Sequence, residues 1–147
     1  MRKAIFTLLC IITGPLIFAR QQDPVHWQFT AEKMTENTYD LHFTAYVNQP
    51  YHIYSQDNNA DVTLPTKLEF TRNPLVELTG NTKDTGELKT ESISGTTLKY
   101  YENRVEFMQT IKFKAAVKVS VSGKISYMAR TNGRCLPATE HRFSFAL

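Results

Sequence analysis

Apolar and polar residues take turns along most of this chain. From residue 39, Tyr39, Leu41, Phe43, Ala45 and Val47 fall on one side while Asp40, His42, Thr44 and Tyr46 fall on the other. A strand collects the first set on a single face, which helical spacing does not. Asn48-Gln49-Pro50 breaks the run, Tyr51 to Ser55 resumes it as a second strand, and Thr66 to Thr71 forms a third between Pro65 and Pro74. Val105, Phe107, Ile111 and Phe113 alternate with Glu106, Met108, Thr110 and Lys112, and Gln109 is the one polar residue in the apolar set. Val117, Val119, Val121, Ile125 and Tyr127 alternate with Lys118, Ser120, Ser122, Lys124 and Ser126. Gly123 falls on the apolar side, where a bulge or a close backbone approach would suit it. Phe143, Phe145 and Leu147 close the series. One apolar and one polar face per strand is the pattern of antiparallel sheets, and the Gly, Asn and Pro turns between them predict two sheets packed face to face.

Nothing in the sequence predicts a long helix. Ala31 to Asn37 has room for a helical turn or two, although Thr35 and Asn37 propagate helices poorly. Thr79 to Thr97, rich in Gly, Thr, Ser, Asn and charge, reads as a long exposed loop with at most one short strand. Loops of that length inside a domain are uncommon and often functional.

The first twenty residues stand apart. Met1-Arg2-Lys3 is a short basic start, Ala4 to Phe18 is almost wholly apolar, and Ala19 is a small residue suited to the position before a cleavage. That is the three-part signature of a secretory signal peptide. Thr13-Gly14-Pro15 interrupts the apolar run, which falls short of the roughly 20 residues a spanning helix needs. A lipoprotein signal at Cys10 is excluded by Leu9, since a small residue is required there. The expected organisation is therefore a signal peptide over residues 1–20 and one β-sandwich domain over 21–147. The mature chain is expected to be periplasmic or secreted, without membrane insertion.

Charge changes the picture once the leader is set aside. Arg2, Lys3 and Arg20 take three of the 17 basic residues, leaving the remainder to balance 14 acidic ones. A neutral, mixed surface argues against nucleic acid or anionic lipid as a partner, because both select for a concentrated positive field.

Candidate chemistry is sparse. His26, His42, His52 and His141 show no ligand spacing, so no metal or other cofactor is expected. There is no phosphate-binding glycine loop, GxSxG or HExxH, and Glu102 and Glu106 read as a solvated face. Trp27 with Tyr100-Tyr101 could form a carbohydrate platform, although core and rim aromatics of a sandwich explain them more simply. Of the two cysteines, removal of Cys10 with the leader leaves Cys135 without an internal disulfide partner. Cys135 follows a polar turn containing Asn132-Gly133 and lies between Arg134 and Leu136-Pro137. Arg130 and Arg134 would favour a thiolate if the sulfur lies near solvent, and a buried, inert cysteine is the equally weighted alternative.

The stretch from Tyr127 to Phe145, containing Tyr-Met-Ala-Arg, Thr-Asn-Gly-Arg and Cys-Leu-Pro-Ala, resembles the active-site hairpin of the N-terminal periplasmic domain of the thiol:disulfide interchange protein DsbD. Pro24-Val25-His26-Trp27, Tyr51-His52-Ile53-Tyr54-Ser55, Leu64-Pro65-Thr66 and Tyr100-Tyr101-Glu102 extend the resemblance from about Asp23 to Phe145. It implies an immunoglobulin-like antiparallel β-sandwich whose hairpin carries a redox pair. In that family the pair takes electrons from a membrane partner and passes them to thioredoxin-like proteins. Carried over, Cys135 matches the partner-attacking second cysteine, with Tyr127, Arg130, Arg134, Leu136 and Pro137 as its hairpin neighbours. The first cysteine falls on Arg130, and Ala138 replaces a second proline. The family's cap loop carries an aromatic residue, whereas Thr79 to Leu98 contains none. The resemblance implies docking to an exported thioredoxin-like or DsbD-like membrane protein without autonomous dithiol reductase activity. Two alternatives are a redox-silent interaction module and a ligand- or carbohydrate-binding sandwich.

Overall fold

The computed structural model describes residues 22–59, 61 and 63–147, and the expected signal peptide lies outside them. Among the described residues nine strands follow in order: β1 (Val25–Lys33), β2 (Thr38–Val47), β3 (His52–Tyr54), β4 (Lys67–Phe70), β5 (Val76–Ile93), β6 (Thr96–Phe113), β7 (Ser120–Tyr127), β8 (Ala129–Arg130) and β9 (Thr139–Ala146). All pairings are antiparallel, in a six-stranded sheet and a three-stranded sheet ordered β4-β7-β9. The architecture is the expected all-β, immunoglobulin-like sandwich.

Strand β6 organises the larger sheet. Glu106 pairs with Thr44 of β2 and with Thr85 of β5, so those strands lie on opposite flanks. Further along, Tyr100 and Tyr101 pair with Tyr54 and Ile53, so β3 takes over the flank that β2 has left. Strand β8 then pairs with β3, and the cysteine-bearing segment adds to β8.

The period-two pattern explains the core. Leu41, Phe43, Ala45 and Val47 from β2 and Val105, Phe107, Ile111 and Phe113 from β6 meet Val121, Ile125, Tyr127, Phe143 and Phe145 from the smaller sheet. Phe43 sits at the centre, with ring centroids 4.7 Å from Phe143 and 5.6 Å from Phe145. Trp27 packs against Phe107 and Tyr127, with centroid separations of 6.0 and 5.4 Å. Trp27 is therefore a core aromatic rather than part of a sugar platform. Gln109, the polar intrusion, is buried, and its amide donates to the Thr79 and Gly80 carbonyls. Buried polar groups need such partners.

Three expectations are corrected. Thr79 to Thr97 is not a loop, because β5 and β6 form a long hairpin closed by Ser94-Gly95, both at positive φ. Strand β5 lacks alternation because much of it is exposed on both faces, and register shifts between Thr79 and Lys83 and between Gly86 and Leu88 break the period. Ala31 to Asn37 holds no helix: Ala31 to Lys33 complete β1, and the residues after them turn into β2. The strand expected from Val117 starts at Ser120, and Val117 is exposed.

Gly123 shows why a glycine occupies the apolar side of β7. A Cβ there would lie 2.2 Å from the Glu69 carbonyl oxygen and 2.6 Å from Phe143 Cζ. Neither neighbour yields without disturbing the β4-β7-β9 register. Gly123→Ala is expected to destabilise the fold by about 1–3 kcal/mol in urea unfolding, the range for overpacking a filled interior.

Candidate functional site

Cys135 lies at the outer margin of the larger sheet and is exposed. After β7 ends at Tyr127, Ala129 and Arg130 pair with Ile53 and His52, and residues 131–134 turn the chain back. The Thr131 N–H donates to the Arg134 carbonyl at 2.8 Å, and the Leu136 N–H donates to the Ala129 carbonyl at 2.9 Å. These two bonds bracket positions 130 and 135, so Arg130 and Cys135 face each other as a non-hydrogen-bonded antiparallel pair. Cα atoms in such pairs lie about 4.5 Å apart, within the roughly 4.4–6.8 Å that a disulfide spans. The side chains of directly opposed residues emerge on the same face.

The residues singled out from the sequence divide between two faces. Tyr127, Ala129 and Leu136 are buried and form the foot of the hairpin. Tyr127 stacks with His141, and its hydroxyl donates to Asp23, whose carboxylate also meets His141 Nε2 at 3.0 Å. Burial, together with the hydrogen bond to Asp23, raises the pKa of the Tyr127 phenol, so it stays neutral. Asp23 also accepts the Val25 N–H, tying the start of β1 to β7 and β9. Arg130 and Cys135 occupy the opposite face, Arg134 lies in the turn, and Pro137 is exposed. Tyr127 and Leu136 therefore hold the hairpin without flanking the sulfur. A cleft of about 630 Å³ opens beside that foot, lined by Asp23, Pro24, Ala129, Leu136, Pro137 and Thr139 among others.

Sequence reasoning did not find the polar cluster behind Arg130. Arg130 Nη1 donates to the Tyr54 hydroxyl at 3.1 Å, and that hydroxyl donates to Glu91 Oε1 at 2.8 Å. The hydrogen bond to Tyr54 is the main cause of a raised Arg130 pKa, and Cys135 and Glu91 add to it. His52, the cross-strand neighbour of Arg130, is 3% exposed and packs against Tyr100 in a tilted arrangement with ring centroids 4.4 Å apart. Its Nε2 makes no hydrogen bond and lies 3.6 Å from the same Glu91 oxygen. Tyr54 and His52 alternate along β3, a visible signal, whereas Glu91 sits in the stretch read as a loop. The remaining histidines are scattered: His26 meets Asn48 and His42 meets Glu106 and Glu32. No group of three or more His, Cys, Asp or Glu side chains fit to hold a metal occurs among the described residues. No helix among them is long and apolar enough to cross a membrane.

A sandwich with a two-stranded cysteine hairpin on the margin of its larger sheet is the class of domain that this site defines. Among solved structures the chain is similar to the N-terminal periplasmic domain of ScsB from Proteus mirabilis, with a TM-score of 0.64 and 12% identity over 86% of this chain. It spans only about half of that chain, 48% of its length. It is also similar to a structure of the complex between the DsbD N-terminal and the PilB N-terminal domains from Neisseria meningitidis, with a TM-score of 0.54 and 14% identity over 85% of this chain and 87% of that one. The fold is DsbD N-terminal-like. No family model and no curated protein matches the sequence.

Two predictions follow from this geometry. Arg130→Cys should close an intramolecular disulfide with Cys135 under mild oxidation, read as loss of both titratable thiols in the monomer. If both thiols persist, or only intermolecular adducts form, the cross-strand geometry is wrong. For His52, burial dominates and lowers the pKa from its ordinary value, so the fold holds the neutral ring. The unfolded chain then takes up the proton first, and stability is lost as pH falls below about 6.5 towards the lower folded value. Urea midpoints from pH 8 to pH 5 should fall more steeply in the wild type than in His52→Phe.

Proposed function

We propose that residues 21–147 form an exported, periplasmic domain, released from a signal peptide over residues 1–20, that takes part in thiol/disulfide exchange. It docks a thioredoxin-like or DsbD-like membrane partner through the hairpin. The observation carrying this reading is an exposed cysteine cross-strand from position 130, where a second sulfur would complete a disulfide. The DsbD N-terminal-like fold supports it, as does the complex of a DsbD N-terminal domain with a PilB N-terminal domain formed by the Neisseria proteins.

Arg130 changes what the site can do. A dithiol completes exchange because one sulfur attacks and its neighbour then displaces the partner. Cys135 performs the first step, and a thiol from outside must perform the second. The domain therefore forms mixed disulfides and is not by itself a two-electron reductase.

In the folded mature chain, Cys135 should be alkylated rapidly near neutral pH. Protection until unfolding would end the exchange reading. Reduction-sensitive adducts trapped in the native host should disappear in Cys135→Ser, while non-covalent capture of the same partner should survive. Adducts that persist in the serine variant would show that this sulfur is not their source, and capture with no adducts in either protein would favour redox-silent docking.

A further inference from the structure

The larger sheet places three chemically active side chains in one transverse row on its outer face: His52 of β3, Arg130 of β8 and Cys135 beyond it. The middle member is held from behind. Tyr54, wholly buried, accepts from Arg130 Nη1 and donates its own hydroxyl hydrogen bond to Glu91. Glu91 in turn lies beside the buried, hydrogen-bond-free Nε2 of His52. A guanidinium has five N–H donors, and the bond to Tyr54 uses one of them. Arg130 is half-buried and cannot lose its charge at any physiological pH, so a fixed cation stands next to an exposed sulfur. Neither nearby acid pairs with it directly: Glu91 meets Arg130 only through the Tyr54 hydroxyl, and Glu102 pairs with Lys89 at 2.6 Å.

We infer that Cys135 exchanges preferentially with disulfides that carry a negative charge close to the attacked sulfur, and that Arg130 selects them. This rests on the exchange reading above and names its substrate class: acidic disulfides, whether a carboxylated small molecule or a partner cysteine flanked by Asp or Glu. Cys135 first loses its proton to water. The thiolate then attacks one sulfur of R–S–S–R, forming Cys135–S–S–R as the R–S–S–R bond breaks. The electron pair of that bond leaves on R–S⁻, which takes a proton from water. Cys135 is oxidised to the mixed disulfide, and the departing half is reduced to its thiol. The guanidinium attracts the anionic disulfide before attack and steadies the negative charge spread over the sulfurs during it. Tyr54 and Glu91 act through Arg130 and are positioning residues.

The test is stopped-flow exchange of the folded chain from Gln21 with three small disulfides. These are dianionic 5,5′-dithiobis(2-nitrobenzoate), neutral 4,4′-dithiodipyridine and cationic cystamine, each rate divided by that of the same chain in urea. The normalised rates should favour the dianion over the cation by about fivefold or more, the size of one unit-charge contact at 4 Å in water. Arg130→Gln should bring that ratio close to one, and Arg130→Lys should keep most of it. Tyr54→Phe, which frees the guanidinium without changing charge, should lower it in part with the neutral probe's rate unchanged. Salt at about 0.5 M should compress the wild-type ratio. An unselective wild type, or a ratio that survives Arg130→Gln, overturns this inference while leaving Cys135 an exchange thiol. If the folded chain reacts with none of the three, the exchange reading itself fails and this inference falls with it.

Discussion

Hydrogen bonding on both flanks of one strand sets the geometry of this domain. A strand in the middle of a sheet must satisfy donors and acceptors on two sides, and β6 does so over 18 residues with three different neighbours. Strand β5 occupies one flank, while β2 and then β3 share the other. The handover from β2 to β3 lets the sheet branch. One branch ends in β1 against the smaller sheet, and the other carries β8 and the cysteine hairpin out to a margin. The sulfur is exposed because the branch runs out of strands there, not because a loop wanders into solvent. Its place is as rigid as the ladder behind it, with Ala129 and Leu136 anchored in the core one residue away on either arm.

That placement sets an arginine, and not a second thiol, across from Cys135. A paired thiol would be a mobile resource, alternately bonded to its neighbour and released. A guanidinium is permanent. Its charge does not depend on redox state, and its orientation is fixed from below by a phenol and a carboxylate. On the proposed reading, such a site has a thiol to attack with and, beside it, a constant electrostatic field in place of a second thiol.

Much of this was legible in the residue order, and the parts that were not share one cause. Strands β2, β6, β7 and β9 have one face in the core, so burial wrote a period of two into their sequences. Gly123 announced a close backbone approach because nothing else fits against the Glu69 carbonyl. Strand β5 left no such trace: it lies open to water on much of both faces, and its two register shifts scramble what alternation remains. With β5 went Glu91, and with Glu91 the cluster that holds Arg130. The resemblance names Tyr127 and Leu136 as hairpin neighbours of the sulfur, whereas strand geometry sends their side chains to the opposite face. Sequence proximity finds a hairpin, but only register says which of its side chains look at one another.

The same irregular β5 has a bearing on how the domain behaves in a crowd. Its outer flank is the longest unpaired backbone edge among the described strands, the kind of surface on which a neighbouring molecule can add a strand and start a fibre. Two breaks in register interrupt that template, and Glu77, Lys83, Asp84, Glu87 and Lys89 scatter charge of both signs along it. The unevenness that hid this strand from a reader of the sequence also makes it a poor seed for aggregation.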